Sequence, residues 1–169
     1  VSYEGQDGTL ESISSKYDFA SATVSITKID SGDVSAAAAT FANLGLIVKF
    51  TLKKADGSAL NAAKLVLNSA SGFILKSVAD DSGSWNNQYS SVSVVPSAET
   101  DEITVALCHP DDAADTYFLT ATDADGNTWN ATKSGVTFET GKYYAGSVKF
   151  TEGATYTVAG TPELCGSSW

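Results

Sequence analysis

The sequence predicts an all-β protein built as an antiparallel β-sandwich. Three observations carry that expectation. Short runs alternate apolar and polar residues with period two, as in GLIVKFTLK at residues 45–53 and KYYAGSVKF at 142–150. Turn residues separate the runs at intervals of about 8–12 residues, the spacing of a sandwich. No stretch carries a convincing amphipathic helical period.

The two clearest runs organise the rest. Leu46, Val48, Phe50 and Leu52 share one face of the first, and Tyr144, Gly146, Val148 and Phe150 share one face of the second. Both are expected as interior strands of the same sandwich. In chain order, residues 1–10 are Gly-rich and acidic, a first strand or a lead-in. Residues 11–19, ESISSKYDF, have the spacing of one helical turn. A strand is expected at 20–29, with Ala22, Val24 and Ile26 on one face, then a turn at Asp30-Ser31-Gly32-Asp33. The Ala-rich run 34–41 reads as strand in this context. Asp56-Gly57 turns the chain after the 45–53 strand. Further strands are expected at 64–68, 73–78, 89–95 and 102–107, the last two stopping near Pro96 and Pro110. Residues 116–121 and 128–133 flank DADGN, the clearest hairpin in the chain. A turn at Thr140-Gly141 precedes 142–150, and 155–159 is expected as a last strand. The organisation that follows is one domain over residues 1–160, with 161–169 a linker or the start of another module.

Composition narrows the function classes. The chain has 169 residues, a net charge of −10 and only 18% charged residues. All ten basic residues are lysines. Nucleic-acid binding needs clustered cations to neutralise phosphates, so a nucleic-acid partner is not expected. Anionic membrane surfaces are disfavoured for the same reason, and no apolar run reaches the roughly 18 residues of a membrane-spanning helix. Two cysteines, Cys108 and Cys165, leave two readings open, separate thiols or one bridge.

Four stretches in order resemble the fimbrillin family of Bacteroidetes surface lipoproteins. They are YEGQDGTL with the following KYDFASATVSI, then TFANLGLIVKFTLKKADG, then YFLTATDADGNTW, and SGVTFETGKYYAGSVKF. The resemblance spans most of residues 3–150 and is to the family's N-terminal-type domain. It implies a transthyretin-like or immunoglobulin-like sandwich of Greek-key topology, at the cell surface on the extracellular face of the outer membrane, with a fimbrium as one setting. It implies a lipid anchor upstream of this chain as the membrane connection. It implies pilus subunits as partners, assembled by strand exchange, or host and bacterial surface glycans and proteins. It implies no catalytic residues and no cofactor. The sequence departs from the family pattern in lacking Arg for an Arg-specific maturation cut, and in a tail, TYTVAGTPELCGSSW, that looks like the opening of a different module. That tail suggests a longer natural protein.

Single residues give weaker pointers. His109 is the sole histidine and would have to serve any Ser-His-Asp arrangement, yet no oriented nucleophile accompanies it. Asp111, Asp112 and Asp115 cluster beside it, and Asp80 and Asp81 form a second acidic pair; both groups read as solvated loops. Asp123, Asp125 and Asn127 alternate oxygen ligands around a Gly, like the start of a calcium loop, but Ser134 stands where the loop's final Glu belongs. A hairpin turn prefers the same residues. Trp85, Asn86, Asn87 and Gln88 are the candidate ligand-binding stretch, since rings stack on sugar faces while amides bond hydroxyls. They motivate an alternative function, a carbohydrate-binding module of a glycan-capturing lipoprotein. Trp129 is expected in the core, Tyr144 likewise, and Tyr143 at the surface. Asn130-Ala131-Thr132 spells a glycosylation sequon to which a bacterial surface protein attaches no meaning.

Overall fold

The structure, a computed structural model, describes residues 3–72, 91–108 and 113–153, and the backbone alone at 75–76 and 88–89. Among the described residues the chain is all-β apart from one short helix. In order, the elements are α1 (Leu10–Lys16), β1 (Ala20–Ser21), β2 (Ile26–Asp30), β3 (Asp33–Ala36), β4 (Ala42–Asn43), β5 (Leu46–Lys54), β6 (Lys64–Ser69), β7 (Leu75–Lys76), β8 (Gln88–Tyr89), β9 (Ser91–Val94), β10 (Glu102–Leu107), β11 (Asp115–Thr122), β12 (Thr128–Val136) and β13 (Tyr143–Glu152).

Seven strands form one mixed sheet in the order β10-β5-β13-β12-β11-β6-β9, curled until it is nearly closed as a barrel. β5 alternates buried and half-buried residues along most of its length, as its period-two pattern requires. Its inward residues meet inward residues of both neighbours: Val48 stands between Val105 and Tyr144, and Phe50 between Ile103 and Gly146. Leu65, Leu67, Val92, Val94, Leu119 and Ala121 complete the core from the opposite side. β11 and β12 form the expected hairpin, with Gly126 at φ 85 in its turn.

The ladder is uneven. β12 and β13 pair only at Trp129↔Glu152 and Asn130↔Thr151. The sheet is therefore two well-paired groups, β10-β5-β13 and β12-β11-β6-β9, joined on one side by that short contact.

Two sequence expectations are corrected. The sheet is not purely antiparallel, because β13 runs parallel to β5 from Tyr143↔Ile47 to Phe150↔Lys54. Two strands a hundred residues apart have no turn to fix their direction; sheet closure sets it. The strand expected at 20–29 is split into β1 and β2, and the run at 34–41 is strand only at its start. Neither is buried. β2 and β3 form a hairpin through Ser31 (φ 48) and Gly32 (φ 97), the geometry of a two-residue turn with both φ positive. Ile26, Ile29, Val34 and Phe41 are between 62% and 72% exposed on this arm. Alternation shows that a strand can bury a face; here the rest of the domain offers no surface to bury it. No helix among the described residues is long and apolar enough to cross a membrane.

Candidate functional site

The outermost strands of the sheet, β9 and β10, do not pair with each other. The chain's first described residues fill the seam between them. On one side the main chain of Gln6 bridges Val94 in parallel, and its carbonyl accepts the Val95 N–H at 3.1 Å. On the other side the Gly8 carbonyl accepts the Thr104 N–H at 2.8 Å.

Between those bonds the Gln6 side chain takes the place of a peptide unit. Its Oε1 accepts the Ala106 N–H at 2.7 Å, and its Nε2 donates to the Ala106 carbonyl at 2.9 Å. Nε2 also donates to the Tyr3 carbonyl at 2.9 Å. Gln6 is 2% exposed, so this amide answers polar main-chain groups that water does not reach.

Tyr3 anchors the same segment. Its ring is buried, edge-on to Phe19 at 5.5 Å and stacked with Tyr17 at 6.5 Å. Burial pushes the Tyr3 phenol well above its ordinary range, helped by the neighbouring Cys108 thiol. That thiol is buried and donates to the Leu44 carbonyl at 3.2 Å. Gly45 makes room for the Tyr3 hydroxyl, since a Cβ there would lie 2.8 Å from it.

Gly8 is demanded twice. Its φ is 79°, and an added Cβ would lie 3.1 Å from Val94 and 3.2 Å from Ile103. Beyond it, the Asp7 carboxylate accepts the Thr9 N–H at 2.9 Å and the Thr9 hydroxyl at 2.8 Å. The Thr9 N–H holds Asp7 below the ordinary carboxylate range. The Thr9 hydroxyl in turn caps α1 by accepting the Ser12 N–H at 3.1 Å. Helix α1 packs on β10, buries Ile13 and ends where the Tyr17 hydroxyl donates to the Glu4 carbonyl. The segment is thus a strand substitute, held by two main-chain bonds at Val95 and Thr104 and by the Gln6 side-chain amide at Ala106. Its chemistry is non-covalent recognition.

The residues singled out in the sequence lie elsewhere. Trp85, Asn86 and Asn87 are outside the described residues, as are Asp80, Asp81, His109, Asp111, Asp112, Cys165 and the runs 155–159 and 161–169. Gln88 belongs to β8, paired with Lys76. The Asp123 carboxylate accepts the main-chain and side-chain amides of Asn127 at 2.9 and 3.0 Å, and reaches Trp129 Nε1 at 3.5 Å. Asn127 thereby donates to Asp123 and closes the hairpin turn, while Asp125 is exposed at its tip. Among the described residues, no group of three or more His, Cys, Asp or Glu could hold a metal ion.

Asp115 is not a solvated loop acid. It ties the start of β11 to the end of β6 through the Ser69 hydroxyl, the Ser71 hydroxyl at 2.7 Å and the Thr116 N–H at 2.6 Å. Burial works against its ionisation, but those bonds prevail and hold the carboxyl below its usual range. Trp129 is half-buried at the edge of the core, with the Lys54 ammonium 5.0 Å from the ring centroid. Tyr144 is half-buried and Tyr143 is 55% exposed, as expected for opposite faces.

Sequence reading overlooked Gln6, Tyr3 and Gly8 as a unit. The available signal was a glutamine between glycines at positions 5 and 8, in a segment too irregular for a ladder. No protein-family model matches the chain, and no curated protein matches it.

Proposed function

We propose that this chain is a non-catalytic bacterial cell-surface structural protein of fimbrillin type, acting in adhesion or as a pilus subunit assembled by strand exchange. The observation that carries this reading is the N-terminal segment lying between β9 and β10. A strand supplied by another subunit would find the same unpaired Val95, Thr104 and Ala106 main-chain groups once residues 3–8 left. The exposed apolar arm carrying Ile26, Ile29, Val34 and Phe41 also favours a protein that works by contact with partners. The division of the sheet into two well-paired groups favours a flattened, sandwich-like form of the barrel, in keeping with the transthyretin-like or immunoglobulin-like topology of that family. In this reading the protein sits on the extracellular face of the outer membrane through an anchor upstream of the chain.

The test is removal of residues 1–8, which spares the Thr9 cap. On an unheated denaturing gel the shortened chain is expected to give a ladder of stable oligomers. An excess of a peptide of sequence VSYEGQDGT is expected to collapse the ladder to monomer. A shortened chain that stays folded and monomeric would refute assembly at this seam and leave glycan binding as the next reading to test.

A further inference from the structure

The β12–β13 hairpin is fastened at both ends and open between them. One end is held by Trp129↔Glu152 and Asn130↔Thr151, the other by the connection 137–142. Extended inward, that register would set Lys133 opposite Val148 and Gly135 opposite Gly146. Those pairs do not form. Pairing with β13 ends at Asn130, while β12 goes on pairing with β11 through Lys133 and Val136, with Gly135 at φ 67 between them. Gly146 occupies an inward position beside Phe50 and contributes no side chain there.

Lys133 is also on the inward face. It stands opposite buried Tyr117, in the same series as Ala131 opposite Leu119 and Trp129 opposite Ala121. A lysine and a glycine thus replace two core side chains at one place. The result is a window in the wall of the barrel that opens into an apolar cavity of about 180 Å³. Val48, Phe50, Leu119 and Val148 line it, with Lys133 at the rim. Phe138 forms its lower wall, its ring 5.1 Å from both Tyr117 and Tyr144. The Glu139 N–H donates to the Tyr144 hydroxyl at 2.9 Å and fixes that ring.

The rim is cationic in a strongly acidic chain. The ion pairs formed among the described residues are Lys28–Asp30 and Lys49–Glu102; no carboxylate pairs with Lys133. Main-chain groups along Ala145–Ser147 face the opening without a β12 partner. An apolar cavity of roughly 150 Å³ is large enough for a benzene ring. We propose that the window binds a small organic carboxylate with an apolar body, one ring or a short acyl chain. The apolar body displaces the void against Phe50, Leu119 and Val148, while the carboxylate meets the Lys133 ammonium at the rim. The site is independent of the strand-exchange seam.

The experiment is calorimetric titration of the full chain with phenylacetate and with 2-phenylethanol, its neutral analogue. Phenylacetate is expected to bind saturably and about tenfold more tightly than the alcohol, the discrimination one charge-assisted contact supplies. Lys133→Gln should bring the two ligands to nearly equal affinity. Gly146→Leu should abolish binding of both while the circular dichroism spectrum is kept, because its added Cβ meets nothing within 4 Å. No saturable binding, equal affinities in the parent, or unchanged selectivity in Lys133→Gln would each overturn the proposal. The lysine variant alters an exposed side chain, so its outcome stands even if the leucine variant fails to fold.

Discussion

Replacing Gln6 with leucine keeps the volume of a side chain that is 2% exposed, but removes the amide that serves Ala106. The cavity contribution is small because the two side chains are of similar size. What remains is polar. The Ala106 N–H and carbonyl lose their partner, and Ala106 is 1% exposed, so water does not replace it. Each unanswered buried group costs about 1–3 kcal/mol, and the two belong to one residue, so the loss is about 2–4 kcal/mol. Loss of the bond to the Tyr3 carbonyl acts in the same direction. Domains of this size have only about 5–15 kcal/mol of total stability. In urea unfolding followed by circular dichroism, the midpoint of Gln6→Leu should fall by about 1–2 M with an unchanged slope. A midpoint within experimental error of the parent would mean that the Gln6 amide is not bonded to β10 in solution, and the account of the seam would fail.

Other perturbations separate backbone strain, core packing and charge. Gly8→Ala combines a left-handed φ with close contacts to Val94 and Ile103 and should cost more than Gly32→Ala, which meets only the backbone strain of about 1–2 kcal/mol; paired urea melts give the order. Ile29→Thr on the exposed arm should change stability by less than about 0.5 kcal/mol, whereas Leu52→Ala in the core should cost about 2–5 kcal/mol. Stability should also fall at both ends of the pH scale, as urea melts across pH would record. Asp7, Asp56 and Asp123 are held low by hydrogen bonds from Thr9, Ser58 and Asn127, and Asp115 by those from Ser69, Ser71 and Thr116 against burial. Depressed carboxyls contribute stability above their unfolded value near 4, and that contribution is lost as pH falls through the folded values. Tyr3 and Tyr117 are raised, chiefly by burial, so their contribution is full below about pH 10 and is lost as pH climbs beyond it.

What the sequence disclosed follows from where local physics suffices. β5, β10 and the β11–β12 hairpin are legible because alternation and turn chemistry are local signals. The parallel pairing of β5 with β13 is not local; it depends on how the whole sheet closes. The arm from Ala20 to Phe41 has the same alternation as a core strand, and nothing in its own residues says that the domain leaves it uncovered. Gln6 was invisible because its role lies in a bond to Ala106, a residue 100 positions away. Gly146 shares the face of Tyr144, Val148 and Phe150, and the window is what a glycine there produces. The position of Lys133 was also implicit in the hairpin, since the turn sets it opposite Tyr117.

Amide hydrogen exchange at Val95, Thr104 and Ala106 reports whether the N-terminal segment closes the seam between β9 and β10. These three N–H groups donate to the Gln6 carbonyl, the Gly8 carbonyl and the Gln6 side chain. In the intact chain they should exchange slowly. In monomer lacking residues 1–8 they should exchange rapidly, and in its oligomers protection should return as a neighbouring strand takes the vacated place. Equal protection in the intact and shortened monomers would contradict the claim that the N-terminal segment closes this seam.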